Sequence, residues 1–293
     1  MFQERAENIK SFDGNELFFR VYTPAKKEQR ESKLDGVVLA VHGFGEHSGR
    51  YAHVARAVCS KNLAFAIFDI RGHGKSGPTR GDAENLHAMV LDVIFMTNHV
   101  KEILGLTKQK NSFFGLFGHS FGSLLATYAA AHLADSCPPL FLSSPCYGVK
   151  QNIPVWKKFL ATKVAKFLPN LVAPIGIPPN SLSNNPENNE AARHDHLILT
   201  HITARMGSTF LGALDEKKIV QAIRLIRAPA TVVAASDDKL VKIEVTKKCV
   251  PYFSHNDSSF KVIEGAGHEI FNETEQCRSQ AISDLLKWIE KSG

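Results

Sequence analysis

Gly118-His119-Ser120-Phe121-Gly122 is the stretch of this chain best suited to chemistry. An apolar run, Phe113-Phe114-Gly115-Leu116-Phe117, leads into it, and the helix-forming Ser123-Leu124-Leu125-Ala126 follows. Strand, sharp turn and helix are expected in that order. Glycines two residues before and after the serine let the backbone turn tightly and let strand and helix approach closely. Ser120 is therefore expected to stand at the end of a buried strand. The bare pentapeptide also occurs as an ordinary turn, so the flanking elements are what single this one out.

A serine hydroxyl attacks poorly at neutral pH unless a base takes its proton, and imidazole is suited to that exchange. A carboxylate must also orient the imidazole and stabilise the imidazolium that forms. Of 13 histidines, His268 is the candidate base, because it sits in the glycine-rich turn Glu264-Gly265-Ala266-Gly267-His268-Glu269 after an apolar run. His42, His47, His73 and His119 compete with it, and His119 reads better as support for the turn beside Ser120. The candidate acid is Asp238, with Asp237 as its rival; Leu240-Val241 soon after favours Asp238. The site must also hold an oxyanion, for which the backbone N–H groups of Phe44 and Phe121 are the candidates. In the alternative, Gly43 and Gly45 simply make a turn.

These residues need a scaffold that brings loop ends together. Residues 36–41, 63–68, 113–117, 140–143, 230–235 and 260–263 are short apolar runs, expected as strands covered on both faces. Helical patterns at 51–61 and 84–104 alternate with the first of them, and a last one runs over 274–290. Such βαβ alternation gives an α/β fold with a mostly parallel sheet and helices on both faces. Runs at 9–12 and 17–22 flank Asp13-Gly14-Asn15 and predict an antiparallel hairpin at its edge. Over 147–214 the rhythm breaks into helices and loops without a clear strand. The expected organisation is a core of 1–146 and 215–293 interrupted by a helical cap, 147–214. Residues 155–172 are amphipathic, with lysines opposite an apolar side that is expected to pack on the core rather than on a membrane.

The hydrophobic fraction of 44% and charged fraction of 22% fit a globular chain and argue against disorder. The net charge of +6 favours anionic surfaces, yet no basic block or nucleic-acid motif accompanies it. Nucleic acid is not an expected partner; peripheral contact with a membrane surface is the weaker expectation. Five widely spaced cysteines without a C-x-x-C pair suggest neither a disulfide framework nor a zinc site, and no metal or cofactor is expected. No apolar run approaches about 18 residues, so a cytoplasmic protein is expected. Cys146 reads as a buried structural thiol.

The motifs His42-Gly43-Phe44-Gly45-Glu46-His47 with Arg50-Tyr51, Asp69-x-Arg71-Gly72-His73-Gly74-x-Ser76 with Arg80-Gly81, and Gly118-His119-Ser120-x-Gly122 together resemble the monoacylglycerol lipase and lysophospholipase group of α/β-hydrolases. The resemblance covers nearly the whole chain. It implies an α/β-hydrolase fold and a serine hydrolase with a mobile helical cap and an acyl tunnel, cleaving single-chain lipid esters through an acyl-enzyme on Ser120 without cofactor. The chain departs from the group's pattern at Ser183-Asn184-Asn185-Pro186, at Asp195-His196-Leu197, and at Val241, where some members carry a cysteine. A short-chain carboxylesterase or peptidase of the same fold, and a non-catalytic binding protein, stay open as other readings.

Overall fold

In the computed structural model, residues 2–25, 33–77, 79–109, 112–151 and 162–292 are described. The strands are β1 (Phe2–Lys10), β2 (Glu16–Pro24), β3 (Gly36–Val41), β4 (Leu63–Phe68), β5 (Phe113–His119), β6 (Leu140–Ser143), β7 (Val172–Pro174), β8 (His201–Thr203), β9 (Ala230–Ala235) and β10 (Ser259–Ile263). Eight of them form one sheet in the order β1-β2-β4-β3-β5-β6-β9-β10. The β1–β2 hairpin and the β2–β4 pairing are antiparallel, and every pairing from β4 to β10 is parallel. The chain runs outward from β3 to β4 and returns across β3 to β5. That reversal leaves a crevice between the carboxyl ends of β3 and β5, where ligands bind in sheets of this kind.

Every side chain of β3 and β4 is buried, as continuous apolar runs require when both faces are covered. Alternation along β3 divides them between two cores: Val37, Leu39 and Val41 face one, Val38 and Ala40 the other. The first core is closed by α2 (Leu86–Ile103) and α3 (Phe121–Leu133) through Met89, Val93, Met96, Leu124 and Leu125. The second is closed by α1 (Ala52–Cys59) and the C-terminal helix Glu275–Ser292, through Val54, Val58, Leu285 and Trp288. Two further helices, Glu216–Leu225 and Ile243–Cys249, complete the layers around β9.

Between β6 and β9 the chain leaves the sheet. Contrary to the strandless expectation, β7 and β8 pair antiparallel there; three residues each, with a proline in β7, leave too short a pattern to read. The helices expected in this region include Pro186–His194 and Ala204–Ala213, with β8 between them. Of the amphipathic stretch 155–172, residues 155–161 lie outside the described residues, and 162–167 are helical. Pro169 cannot continue a helix, and the chain goes on into β7. Leu168, Leu171 and Val172 consequently leave the helical register, and with Phe167 at the helix end they are 58%, 53%, 58% and 72% exposed, so packing of this side on the core does not hold over 167–172.

Three buried histidines stand at the carboxyl ends of the central strands. His42 Nδ1 lies 2.8 Å from the Gly43 carbonyl and Nε2 lies 2.9 Å from the Ile70 N–H, so Nδ1 carries the proton and Nε2 accepts. Burial, opposed by Asp69, pushes the His42 pKa down to about 4; burial likewise pushes His73 to about 3 and His119 to about 4. Protonating His42 would turn its acceptor nitrogen against the Ile70 N–H. Because the folded pKa values lie below the unfolded value of about 6.5, this stabilisation is complete above pH 6.5 and is lost as pH falls toward 4. The thermal midpoint is expected to drop over that window, while the ring resonances of these histidines stay neutral down to about pH 5. Protonation of any of them near pH 6.5 would contradict the assignment.

Candidate active site

Ser120 sits between β5 and α3 with φ 53° and ψ −118°. Two glycines make that turn possible by allowing contact no side chain could: a Cβ on Gly122 would lie 2.1 Å from the Val41 carbonyl oxygen, and one on Gly118 2.6 Å from Ser123 Cα. The turn is held by Ser120 N–H donating to Ser143 O (2.8 Å) and Cys146 N–H donating to Ser120 O (3.1 Å). Ser123 Oγ donates to Gly118 O (2.7 Å) and Ser143 O (3.0 Å).

His268 arrives from the loop after β10 and Asp238 from the loop after β9. His268 Nε2 is 2.7 Å from Ser120 Oγ, and His268 Nδ1 is 2.7 Å from Asp238 Oδ2. All three residues are buried. The Leu240 and Val241 N–H groups donate to Asp238 Oδ1 at 2.8 and 2.9 Å, which fixes the carboxylate. Burial opposes ionisation of Asp238, but the imidazole charge and hydrogen bond, with those N–H groups, hold its pKa below the usual carboxylate value. Burial likewise opposes charge on His268, but Asp238 first, then Glu269 and Glu46, leave its pKa above the ordinary 6.5. Asp237, the rival carboxylate, is exposed, and only its backbone reaches this loop, through Ala266 O at 2.9 Å.

The loop after β3 packs against the elbow. A Cβ on Gly43 would meet Ser120 Cβ at 3.2 Å and His119 Cδ2 at 3.3 Å. Phe121 opens α3, so its N–H is a first-turn donor without an intrahelical acceptor. The Phe44 ring packs edge-on against Phe121 (centroids 5.5 Å) and beside Phe210 (4.7 Å). His119 binds Ser143 Oγ through Nδ1 (3.0 Å), with its ring 5.1 Å from that of His268.

Sequence reasoning named Glu46, Arg50, Tyr51 and Glu269 without giving them work, and passed over Asn188. Glu46 Oε1 accepts from the Gly43 N–H (2.5 Å) and from Tyr51 OH (2.8 Å), pinning the loop. Arg50 binds both oxygens of Glu269 (2.5 and 2.8 Å), Glu46 Oε2 (3.3 Å) and Asn188 Oδ1 (2.9 Å). Arg50 draws the buried Glu269 carboxyl well below the usual range against the pull of burial. The spacing of Glu46 and Arg50, four apart, and a carboxylate directly after the candidate base were the available signals.

A cavity of about 870 Å³ opens over Ser120, walled by Phe44, Val149, Ile175, Ile177, Leu211 and Val241 among others. Its size and apolar lining suit an organic ligand. Cys146 lies in its wall, buried, and burial pushes its pKa up to about 12, which disfavours the reactive thiolate. Among the described residues no group of His, Cys, Asp and Glu could hold a metal ion.

Residues 32–275 match the Hydrolase_4 family, described as serine aminopeptidase, S33. The chain belongs to this family. Its relatives include a monoacylglycerol lipase of Mycolicibacterium smegmatis, 25% identical over 94% of this chain and 93% of that protein, and a monoglyceride lipase of Homo sapiens, 26% identical over 95% and 88%. A soluble variant of monoglyceride lipase from Saccharomyces cerevisiae, solved with a substrate analog, shares the fold with a TM-score of 0.83 at 20% identity, covering 98% of this chain and 94% of that one. The α/β-hydrolase fold is therefore established, and the family is one of serine hydrolases.

The two aspartates give a direct test of the geometry. Asp238→Asn is expected to lower kcat by about 10⁴-fold, since the imidazole loses the partner of its Nδ1–H. Asp237→Asn is expected to change kcat less than about twofold, as exposed positions usually do. Ester hydrolysis measured on both would overturn the choice of acid if the effects were reversed. The raised His268 pKa places the acid limb of kcat/KM above pH 6.5, with activity rising as the base is deprotonated.

Proposed function

We propose that this hydrolase releases a fatty acid from monoacyl lipids, a monoacylglycerol or a lysophospholipid, through an acyl-enzyme on Ser120. The observation that carries the reading is the Ser120–His268–Asp238 hydrogen-bond chain at the base of an apolar cavity of about 870 Å³. Ser120 Oγ attacks the ester carbonyl as His268 Nε2 takes its proton, and Asp238 stabilises the imidazolium. The N–H groups of Phe44 and Phe121 receive the developing oxyanion. His268 then protonates the departing alcohol; water enters, the same imidazole takes its proton as it attacks the acyl carbon, and that proton passes to Ser120 Oγ as the acid leaves.

A lipid fits this cavity better than a free amino terminus, although the family description is an aminopeptidase. Capture of an ammonium needs an unpaired carboxylate. Among the described lining residues the carboxylates are Glu46 and Glu269, and both are bound by Arg50. Residues 147–214, which supply Ile175, Ile177, Phe210 and Leu211 to the walls, act as the cap that selects the acyl chain. The exposed Phe167, Leu168, Leu171 and Val172 near Lys166 suit shallow insertion into an anionic lipid surface, giving peripheral contact where substrate resides.

Fatty-acid release from monooleoylglycerol, lysophosphatidylcholine and a butyrate ester decides among the substrates. Hydrolysis is expected to favour a long-chain lipid and to vanish in Ser120→Ala; cleavage of butyrate alone would leave a general esterase. For the surface, flotation with anionic vesicles is expected to carry the protein, and Phe167→Ser with Leu171→Ser to abolish it. Equal flotation of that variant would remove the docking surface.

A further inference from the structure

Glu273 is fully buried, yet among the described residues no cationic side chain pairs with it. A buried carboxylate is costly unless oriented donors replace its water. Here three backbone N–H groups do so. Oε1 accepts from Asn184 (2.5 Å) and Gly267 (2.9 Å), and Oε2 from Thr274 (3.0 Å). Asn184 belongs to the segment leading into helix Pro186–His194, whereas Gly267 directly precedes the base His268. One oxygen is thus shared between two segments far apart in sequence, and is satisfied only when both are seated.

The surrounding contacts run the same way. Glu269 N–H donates to Leu182 O (2.8 Å), Asn184 Nδ2 to Gly265 O (3.0 Å) and Ser183 Oγ to Asn272 O (3.2 Å). A Cβ on Gly267 would lie 2.8 Å from Glu273 Oε1 and 3.1 Å from Ser183 Cα, so the segments meet with no room for a side chain. The acyl-transfer chemistry described above needs His268 Nε2 held within hydrogen-bond reach of Ser120, and misplacement of about 1 Å can cost 10²-fold in rate.

We propose that Glu273 is a positioning residue that makes residues 182–188 and the loop of the base a single unit. This rests on the reading of Ser120 and His268 as nucleophile and base. Seating of that segment then sets the chemistry itself, and a change in its backbone is felt even by a substrate too short to touch it.

The test compares Glu273→Gln, which turns one acceptor oxygen into a donor, with Asn184→Pro, which removes the shared N–H and leaves Glu273 intact. Exposed Glu187→Ala on the neighbouring helix is the control, and Glu273→Asp tests rescue. For each protein, kcat and KM are measured on a butyrate ester and on monooleoylglycerol, per Ser120 titrated with a fluorophosphonate. Glu273→Gln and Asn184→Pro are expected to lower kcat about tenfold or more on both esters, with KM within about threefold and a displaced acid limb of kcat/KM. Glu273→Asp should recover part of the loss and Glu187→Ala should stay within about twofold of the unaltered protein. Should Glu273→Gln fail to fold, Asn184→Pro decides alone. The proposal is overturned if the two variants alter only KM for the oleoyl lipid, or leave kcat per titrated serine unchanged. An unaltered protein that cleaves neither ester and leaves Ser120 unlabelled would sink the underlying reading too, whereas an active protein with indifferent variants sinks this proposal alone.

Discussion

Ser120 is held at a positive φ that an L-residue adopts only when its surroundings leave no alternative, at a cost on the order of 1–3 kcal/mol. The surroundings are close contacts at Gly118 and Gly122 and the hydrogen bonds from Ser120 and Ser123 to Ser143. Neighbouring strands are thereby fixed as well. The Gly122 contact presses α3 onto the carbonyl end of β3, and the Ser143 bonds fix the end of β6. The hydroxyl, the loop after β3 and the end of β6 are consequently placed by one turn. A strained residue is affordable here because so many buried backbone groups depend on it.

The motifs quoted in the sequence divide, in three dimensions, into groups that face the cavity and groups that brace it. Asp69 accepts from the N–H groups of Ser48 and Lys75, at 2.7 and 2.8 Å, and joins the loops after β3 and β4. Arg71 grips Asp92 of α2 with two hydrogen bonds of 2.7 and 2.8 Å, both partners buried. Gly81 donates to Gly72 O (2.7 Å) and accepts from Thr203 at the end of β8 (2.8 Å), so Arg80-Gly81 meets the excursion between β6 and β9 rather than the nucleophile. These residues brace the loops around the cavity rather than line it.

Much of this was legible beforehand because it is written in local chemistry. Period-2 and continuous apolar runs marked the central strands, and the strand ends marked Ser120, Asp238 and His268. Of Asp237 and Asp238, the second turns its carboxylate to His268, and the apolar segment after it was the feature that favoured it. Less could be read between β6 and β9. Strands of three residues carry almost no pattern, and an amphipathic run such as 155–172 has the same composition whether its apolar side meets a core or a lipid. Glu273 was silent for another reason: its partners are backbone groups, and only the fold assembles them.

The charges around His268 set how it would behave as the proposed base. Asp238, Glu269 and Glu46 all favour the imidazolium against the pull of burial. Arg50 offsets two of the three by binding Glu269 and Glu46, while burial keeps His119, in contact with the His268 ring, neutral. Asp238 is left as the carboxylate that the imidazole feels most directly. A base must be neutral to accept a proton and yet stable once it has done so. One arginine shared between two glutamates satisfies both conditions, because it limits the resting charge without weakening the hydrogen bond that receives the imidazolium. The same arginine holds Asn188, so the electrostatics of the base and the seating of the segment over it depend on a common side chain.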